Sequence, residues 1–320
     1  MLLALLSLAV GSHPVPLGTA WHAVVAFDPA DDGQLVVRTL RVPRTALAVL
    51  VGAALGTAGA LVQALTRNPL AEPGLLGVNA GAAAAVVTAI LTLGVSTPLG
   101  RLPFALAGSA AAAALVLALG GGLRGGGPGG GSRVQLVLAG TAISVVLAAY
   151  TSTVTINEPD VFDVFRLWVV GSLQGRGTDV LLVTAPLVLA GLLLALGVAG
   201  SLDALALGAD TGAALGASVR RTWVLTAVAV VVLSAAATAA AGPIAFVGLA
   251  APHAARTLTG PAHRRLLPAS ALLGACTLLA ADVVGRVVAV PSEVQAGIVA
   301  ALVGAPVFVH LVRNRRVAGL

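Results

Sequence analysis

The sequence predicts an all-α, polytopic membrane protein of about ten transmembrane helices, organised as one domain over residues 1–320, and three observations carry that prediction. Of the 320 residues 58% are hydrophobic and 9% charged, and the mean hydropathy is +1.03; soluble domains run near 45–50% apolar and about 25% charged. The apolar residues fall into uncharged runs of about the 20 residues that a helix needs to cross a bilayer. The 18 basic residues, every one an arginine, gather at the ends of those runs. That is membrane-topology charge and not a nucleic-acid surface, despite a sequence pI near 11.3. The single cysteine, Cys276, leaves no internal disulfide or multi-cysteine metal site. An arginine-only basic set in an alanine- and glycine-rich chain points to a GC-rich bacterial genome.

The elements follow in order. "MLLALLSLAV" is apolar but stops at "GSHPVP", too short to cross, and it lacks the positive start of a signal peptide. It reads as a first span that has lost its opening turns, with an in-frame start expected upstream. Spans two to six are Thr45 to Thr66, Leu75 to Gly100, Leu102 to Leu123, Val134 to Asn157 and Val180 to Leu202. Thr222 to Pro252 is too long for one span and is broken at Gly242-Pro243, so it reads as a seventh helix, a re-entry and a short eighth helix ending near Leu258. Leu267 to Val288 and Val294 to Val312 complete the ten.

With both termini cytoplasmic, eleven arginines fall inside (67, 124, 133, 220, 221, 256, 264, 265, 313, 315 and 316) and seven outside (38, 41, 44, 101, 166, 176 and 286). The excess of arginine inside selects this orientation over its inverse. "GGLRGGGPGGGSR", Gly121 to Arg133, is a glycine-rich flexible cytoplasmic loop between spans four and five. It is no phosphate cradle, because a Walker A loop needs a lysine and the chain has none. Any ATP that drives this protein is hydrolysed on another chain.

Five motifs carry more than topology: "RNPLAEPGLLG" at 67–77, "GPIAFVGLAAPHAAR" at 242–256, "HRRLLP" at 263–268, "ADVVGR" at 281–286 and "GIVAALVGAPVFVHLVR" at 297–313. In this order and in a ten-span plan, they resemble the FecCD-type permeases, the membrane subunits of bacterial ABC importers for iron-siderophores, haem and vitamin B12. The resemblance runs from about Arg41 to the C-terminus; the short first span is its one departure. It implies the type II importer fold, with a second permease chain (a copy or a paralogue), two cytoplasmic ATPases carrying ATP and Mg, and an extracytoplasmic substrate-binding protein. It also implies a chain in the cytoplasmic membrane that is not itself an enzyme and binds no cofactor. The expected cargo is a ferric siderophore, with haem or cobalamin as the alternative.

The resemblance also assigns residues. Arginines on the outer face of such permeases pair with glutamates of the binding protein, and the matching positions are Arg41 and Arg44 in "RVPR" and Arg286 in "ADVVGR". Read from spacing alone, the same arginines simply snorkel to the headgroups. Residues 203–219 resemble the coupling helices that sit in a groove on the ATPase, with Asp210, Leu215 and Gly216 as the contacts; Gly216 supplies a turn that excludes a Cβ. Gly140, Thr141, Ser144, Thr151 and Ser152, with Thr153, put small polar groups on the fifth span and are the expected pathway lining. Each singly is as well read as helix packing. Gly171 and Ser172 are expected in a short outer helix beside it.

Asp282 lies inside the ninth span, where an acid is costly and a functional candidate by default. Arg286 four residues on makes a structural ion pair the simpler reading. His253 has no second ligand at metal spacing, and no metal site is assigned. An ion-coupled carrier would need mid-membrane ionisable groups and interrupted helices, for which only Asp282 and Gly242-Pro243 speak. An intramembrane enzyme would need paired acids or an activated nucleophile, and no such pattern occurs in the spans.

Overall fold

A computed structural model describes residues 2–11, 15–120 and 130–313. Among the described residues the secondary structure is entirely helical: α1 (Leu2–Ala9), α2 (Leu17–Val25), α3 (Asp32–Val36), a π-helical turn (Val37–Arg41), α4 (Val42–Thr66), a 3-10 turn (Pro73–Leu76), α5 (Val78–Leu93), α6 (Pro98–Leu119), α7 (Gly130–Asn157), α8 (Pro159–Val169), α9 (Thr178–Ala206), α10 (Ala209–Ala214), α11 (Val219–Ala241), α12 (Val247–Thr259), α13 (His263–Val287) and α14 (Ala296–Arg313).

The core is built around α4. Its apolar residues encircle the helix and most of them are buried, as expected of a helix largely enclosed by other helices. Helices α13, α11, α12 and α9 pack against it. Glycines make this possible. A Cβ on Gly52 or Gly56 would strike the backbone of Gly274 or Ser270 in α13, and one on Gly59 would strike the Gly248 carbonyl in α12. Such close backbone approach replaces the hydrophobic drive that helices lack in lipid. The α5 and α6 pair repeats the device, with Gly81 against the Gly108 carbonyl and Gly108 against that of Gly81.

Six helices are long and apolar enough to cross a membrane: Asp32–Thr66, Pro98–Leu119, Val134–Asn157, Thr178–Ala206, Val219–Ala241 and His263–Val287. Val78–Leu93 and Ala296–Pro306 are shorter apolar helices. The described residues thus hold six full-length spans; the other four runs expected to cross form the shorter helices α1, α5, α12 and α14, several of these runs exceeding the helix formed within them. The run from Leu75 to Gly100, for example, starts with a 3-10 turn and stops helically at Gly94, which has φ +65°. Of the glycine-rich segment 121–133, residues 121–129 lie outside the described residues; the remainder is the opening of α7. The break at Gly242-Pro243 falls where expected, between α11 and α12.

Gly171 and Ser172 are not in a short outer helix. α8 ends at Val169, and Gly171 turns the chain at φ +71°. A Cβ there would strike the Pro243 carbonyl, while the Gly171 carbonyl accepts the Gly297 N–H at 3.0 Å and Ser172 N–H donates to the Ala241 carbonyl at 2.7 Å. The two residues therefore knit together the ends of α8, α11 and α14.

Candidate functional site

The polar groups that a membrane chain must account for collect at the two ends of the bundle. At one end, Asp31 caps α3 by accepting the Gly33 and Gln34 N–H groups at 2.8 and 3.2 Å. From there one continuous helix runs through the π-helical turn into α4. A π turn inserts a residue and resets which face later side chains occupy, and two arginines at its end and just beyond it, Arg41 and Arg44, turn inward. Arg41 donates through Nη1 to the carbonyls of Leu8 and Ala9, at 2.9 and 2.8 Å. Arg44 reaches α13, donating through Nε and Nη2 to Asp282 Oδ1 at 3.0 and 2.8 Å. Its Nη1 donates to Glu293 Oε2 at 2.7 Å.

Asp282 is fully buried and carries a second cation, Arg286, whose Nη2 donates to Oδ2. Arg286 Nη1 donates in turn to the Ser7 carbonyl at 2.7 Å, and Ser7 Oγ and Thr45 Oγ1 are 2.7 Å apart. The Ser7, Leu8 and Ala9 carbonyls belong to the last turn of α1, which has no intrahelical donors of its own. Two guanidiniums supply those donors and place positive charge at the negative end of the helix dipole. The cluster ties α1, α4 and α13 together, with Glu293 ahead of α14 as its rim.

At the other end, Asp203 near the end of α9 caps α13. Its Oδ1 accepts the His263 N–H at 2.6 Å and lies 2.8 Å from His263 Nδ1. Residues 203–219 hold one short helix, α10, with Asp210 in its first turn. Gly216 follows at φ +86° and turns the chain into α11; Leu215 beside it is exposed. Glu72, in the turn between α4 and α5, is half-buried and accepts the Phe246 N–H at 3.0 Å. Phe246 sits at φ +67°, a conformation that a bulky residue adopts only when held there.

The sequence profile of the FecCD transport family, by that description, matches residues 1–314. The chain belongs to this family. Among curated relatives of this FecCD chain, the ferric enterobactin transport system permease protein FepD of Escherichia coli is 43% identical, over 98% of the chain and 92% of the relative. The Fe(3+)-citrate import system permease protein YfmD of Bacillus subtilis is 39% identical over 97% and 91%. The cobalamin import system permease protein BtuC of Halobacterium salinarum is 37% identical over 98% and 86%. A solved structure described as an inward-facing conformation of a metal-chelate type ABC transporter aligns with TM-score 0.83 at 28% identity, over 98% of this chain and 96% of that one.

The FecCD chain places its sequence-predicted residues unevenly. Arg41, Arg44, Arg286 and Asp282 come together, but the arginines expected to face outward are turned in. Arg41 and Arg286 are 6% and 2% exposed, engaged by α1 carbonyls that spacing does not reveal. Arg44 and Glu293 form the accessible edge, each side chain 13% exposed. Arg286 lies four residues from Asp282 as the i,i+4 reading requires, and Asp282 also holds Arg44 across 238 positions. The pathway candidates do not share a face. Gly140 packs on the Leu75 carbonyl and Thr151 is buried, whereas Thr141, Ser152 and Thr153 are exposed and Ser144 is half-buried. The Thr141, Thr151 and Thr153 hydroxyls donate to carbonyls of their own helix. Sequence reasoning missed Ser7, Thr45, Glu293 and the buried Arg101 and Arg176. Burial first, and then Arg101, lowers the Arg176 pKa to about 10.

Two measurements test these assignments. Asp282→Asn leaves the buried Arg286 guanidinium without its carboxylate and Arg44 with Glu293 alone, and is expected to cost about 3–5 kcal/mol, read as a lowered denaturation midpoint in detergent. At the opposite end, burial pushes the Glu72 carboxyl above the usual carboxylate range, against the lowering pull of the Phe246 N–H. The folded chain then keeps a proton that the unfolded chain releases, so stability is lost as pH rises out of the ordinary carboxylate range. Glu72→Gln, which retains the acceptor oxygen, is expected to melt higher than the parent at neutral pH. That advantage should vanish in acid, where both side chains are neutral.

Proposed function

We propose that this chain is the transmembrane permease subunit of an ATP-driven importer that carries a metal chelate, a ferric siderophore, across the cytoplasmic membrane of a bacterium. The observation that carries the reading is its similarity, over nearly its whole length, to permeases named for ferric enterobactin, ferric citrate and cobalamin. Siderophore is preferred over cobalamin because the relative of greater identity among these is the ferric enterobactin permease. The ion-coupled alternative draws no support, since the acid it would use is committed to two arginines.

The working assembly is a pair of permease chains with two ATPases on the inner face and a substrate-binding protein on the outer. The ten spans and cytoplasmic termini of this arrangement put the arginine cluster outside and residues 203–219 inside. Asp210, Leu215 and Gly216 then meet the ATPase, and the exposed hydroxyls of α7 face the cargo's route. Docking by Arg41 and Arg286 works at one remove: they hold α1 and set the position of Arg44. The cluster carries three cations against two acids, and a glutamate of the binding protein would enter at the Arg44 edge, in competition with Glu293.

Reconstitution with the cognate ATPase and binding protein is expected to give ATP-dependent uptake of a labelled ferric catecholate siderophore in preference to labelled cobalamin. Uptake driven instead by an imposed pH or sodium gradient, without the ATPase, would overturn the reading. Glu293→Gln removes the internal competitor and is expected to tighten binding-protein affinity several-fold in a surface-binding assay. An unchanged or weaker affinity would remove Arg44 from the docking surface.

A further inference from the structure

At the end of α9 that joins α10, two adjoining depressions of about 530 and 180 Å³ share Gly197, Ser201 and Gly216 as lining. Arg264 of α13 borders the larger and Arg221 of α11 the smaller. Both arginines are exposed, and neither has an ion-pair partner among the described residues. The Arg264 guanidinium lies across a notch: a Cβ on Gly200 would come 2.9 Å from Nη2 and 3.3 Å from Nε. Gly197 opens onto space, with nothing within 4 Å of where its Cβ would be. The result is a polar trough with two cations at its borders and three glycines, Gly197, Gly200 and Gly216, in its lining.

The same face of α9 continues away from the trough as an apolar stripe. Leu182, Leu189, Leu193 and Leu196 recur at helical spacing and are all exposed, and Leu196 itself borders the larger depression. From Leu189 to Gly200 the helix rises about 16 Å, close to the roughly 15 Å of hydrocarbon in one leaflet. A surface that is apolar for the depth of one leaflet and ends in a two-arginine trough has the shape and charge of a single anionic phospholipid.

We propose that the trough between α9, α11 and α13 binds the headgroup phosphate of an anionic phospholipid, with Arg221 and Arg264 as its counter-charges and the α9 leucines as the bed for its acyl chains. Paired basic residues at a helix end near the inner surface recognise such headgroups, and each contributes attraction that a zwitterionic lipid does not elicit. The placement in the inner leaflet rests on the orientation proposed above; the binding itself does not. A lipid result of either sign therefore leaves the transport reading to the uptake assay.

The test titrates the purified chain in detergent with phosphatidylglycerol and with phosphatidylcholine, followed by native mass spectrometry. The parent is expected to prefer phosphatidylglycerol, and the double variant Arg221→Gln, Arg264→Gln to lose about tenfold of that preference. Gly200→Leu, which keeps both charges but fills the notch, should lose it as well. Arg265→Gln removes an exposed charge that borders neither depression and should leave the preference intact. The proposal is overturned if the parent shows no preference, if Arg265→Gln matches the double variant, or if Gly200→Leu binds as the parent does. Displacement of phosphatidylglycerol by inorganic phosphate alone would reduce the trough to a free-anion site. Unchanged lipid binding in the double variant with lost ATPase association would give the trough to the ATPase.

Discussion

A carboxylate with no exposure to solvent holds one end of this protein together. Asp282 projects from α13 into a space between three helices, and a lone charge there would be prohibitively expensive. It is tolerable because Arg44 and Arg286 enclose it, and those two are tolerable because Glu293 accepts from Arg44 and the open carbonyl of Ser7 in α1 accepts from Arg286. Each member is affordable only with the others in place. The arrangement favours one packing of α1, α4 and α13 over its neighbours more than it adds net stability.

Around this polar knot the bundle is assembled by proximity. Gly52, Gly56 and Gly59 present three successive turns of α4 with no side chain, so α13 and α12 touch its backbone. A membrane chain gains little from moving a leucine out of lipid and onto another helix, so close contact between main chains has to do that work. This explains why the helix at the centre carries glycine and alanine, while Leu182, Leu189, Leu193 and Leu196 of α9 can be left exposed. It also explains why α7, with few buried residues, is the helix left most available to another surface.

Much of this was legible in the sequence. Composition gave the solvent, arginine placement gave the ends of the spans, and Gly242-Pro243 marked the break between α11 and α12. The motifs were legible as a family pattern, but what they do to one another was not. Glu72 of one motif holds Phe246 of another, and Arg44 of "RVPR" holds Asp282 of "ADVVGR". Contacts across such separations leave no periodicity to read. Local spacing offered Arg286 as the partner of Asp282 and could not disclose the second arginine. The burial of Arg41 and Arg286 was invisible for a related reason: their acceptors are main-chain carbonyls, which every residue possesses and no residue type announces. Helix ends were also overestimated where an uncharged run outlasted the helix, because a positive-φ glycine stops a helix without changing its hydropathy.

Helix α13 begins at His263, pinned by Asp203 beside α10, and ends just beyond Arg286 in the opposite cluster. Twenty-five residues of unbroken helix measure about 37 Å, with the one internal proline, Pro268, near the start. A rod of this kind resists stretching far more than bending, since lengthening it breaks main-chain hydrogen bonds while tilting it does not. The two aqueous faces are accordingly held at a fixed separation along this line. Any rearrangement of the bundle that moves one anchor along the axis must carry the other with it, whereas a rocking of α13 about its glycine contacts with α4 would swing the two anchors in opposite directions.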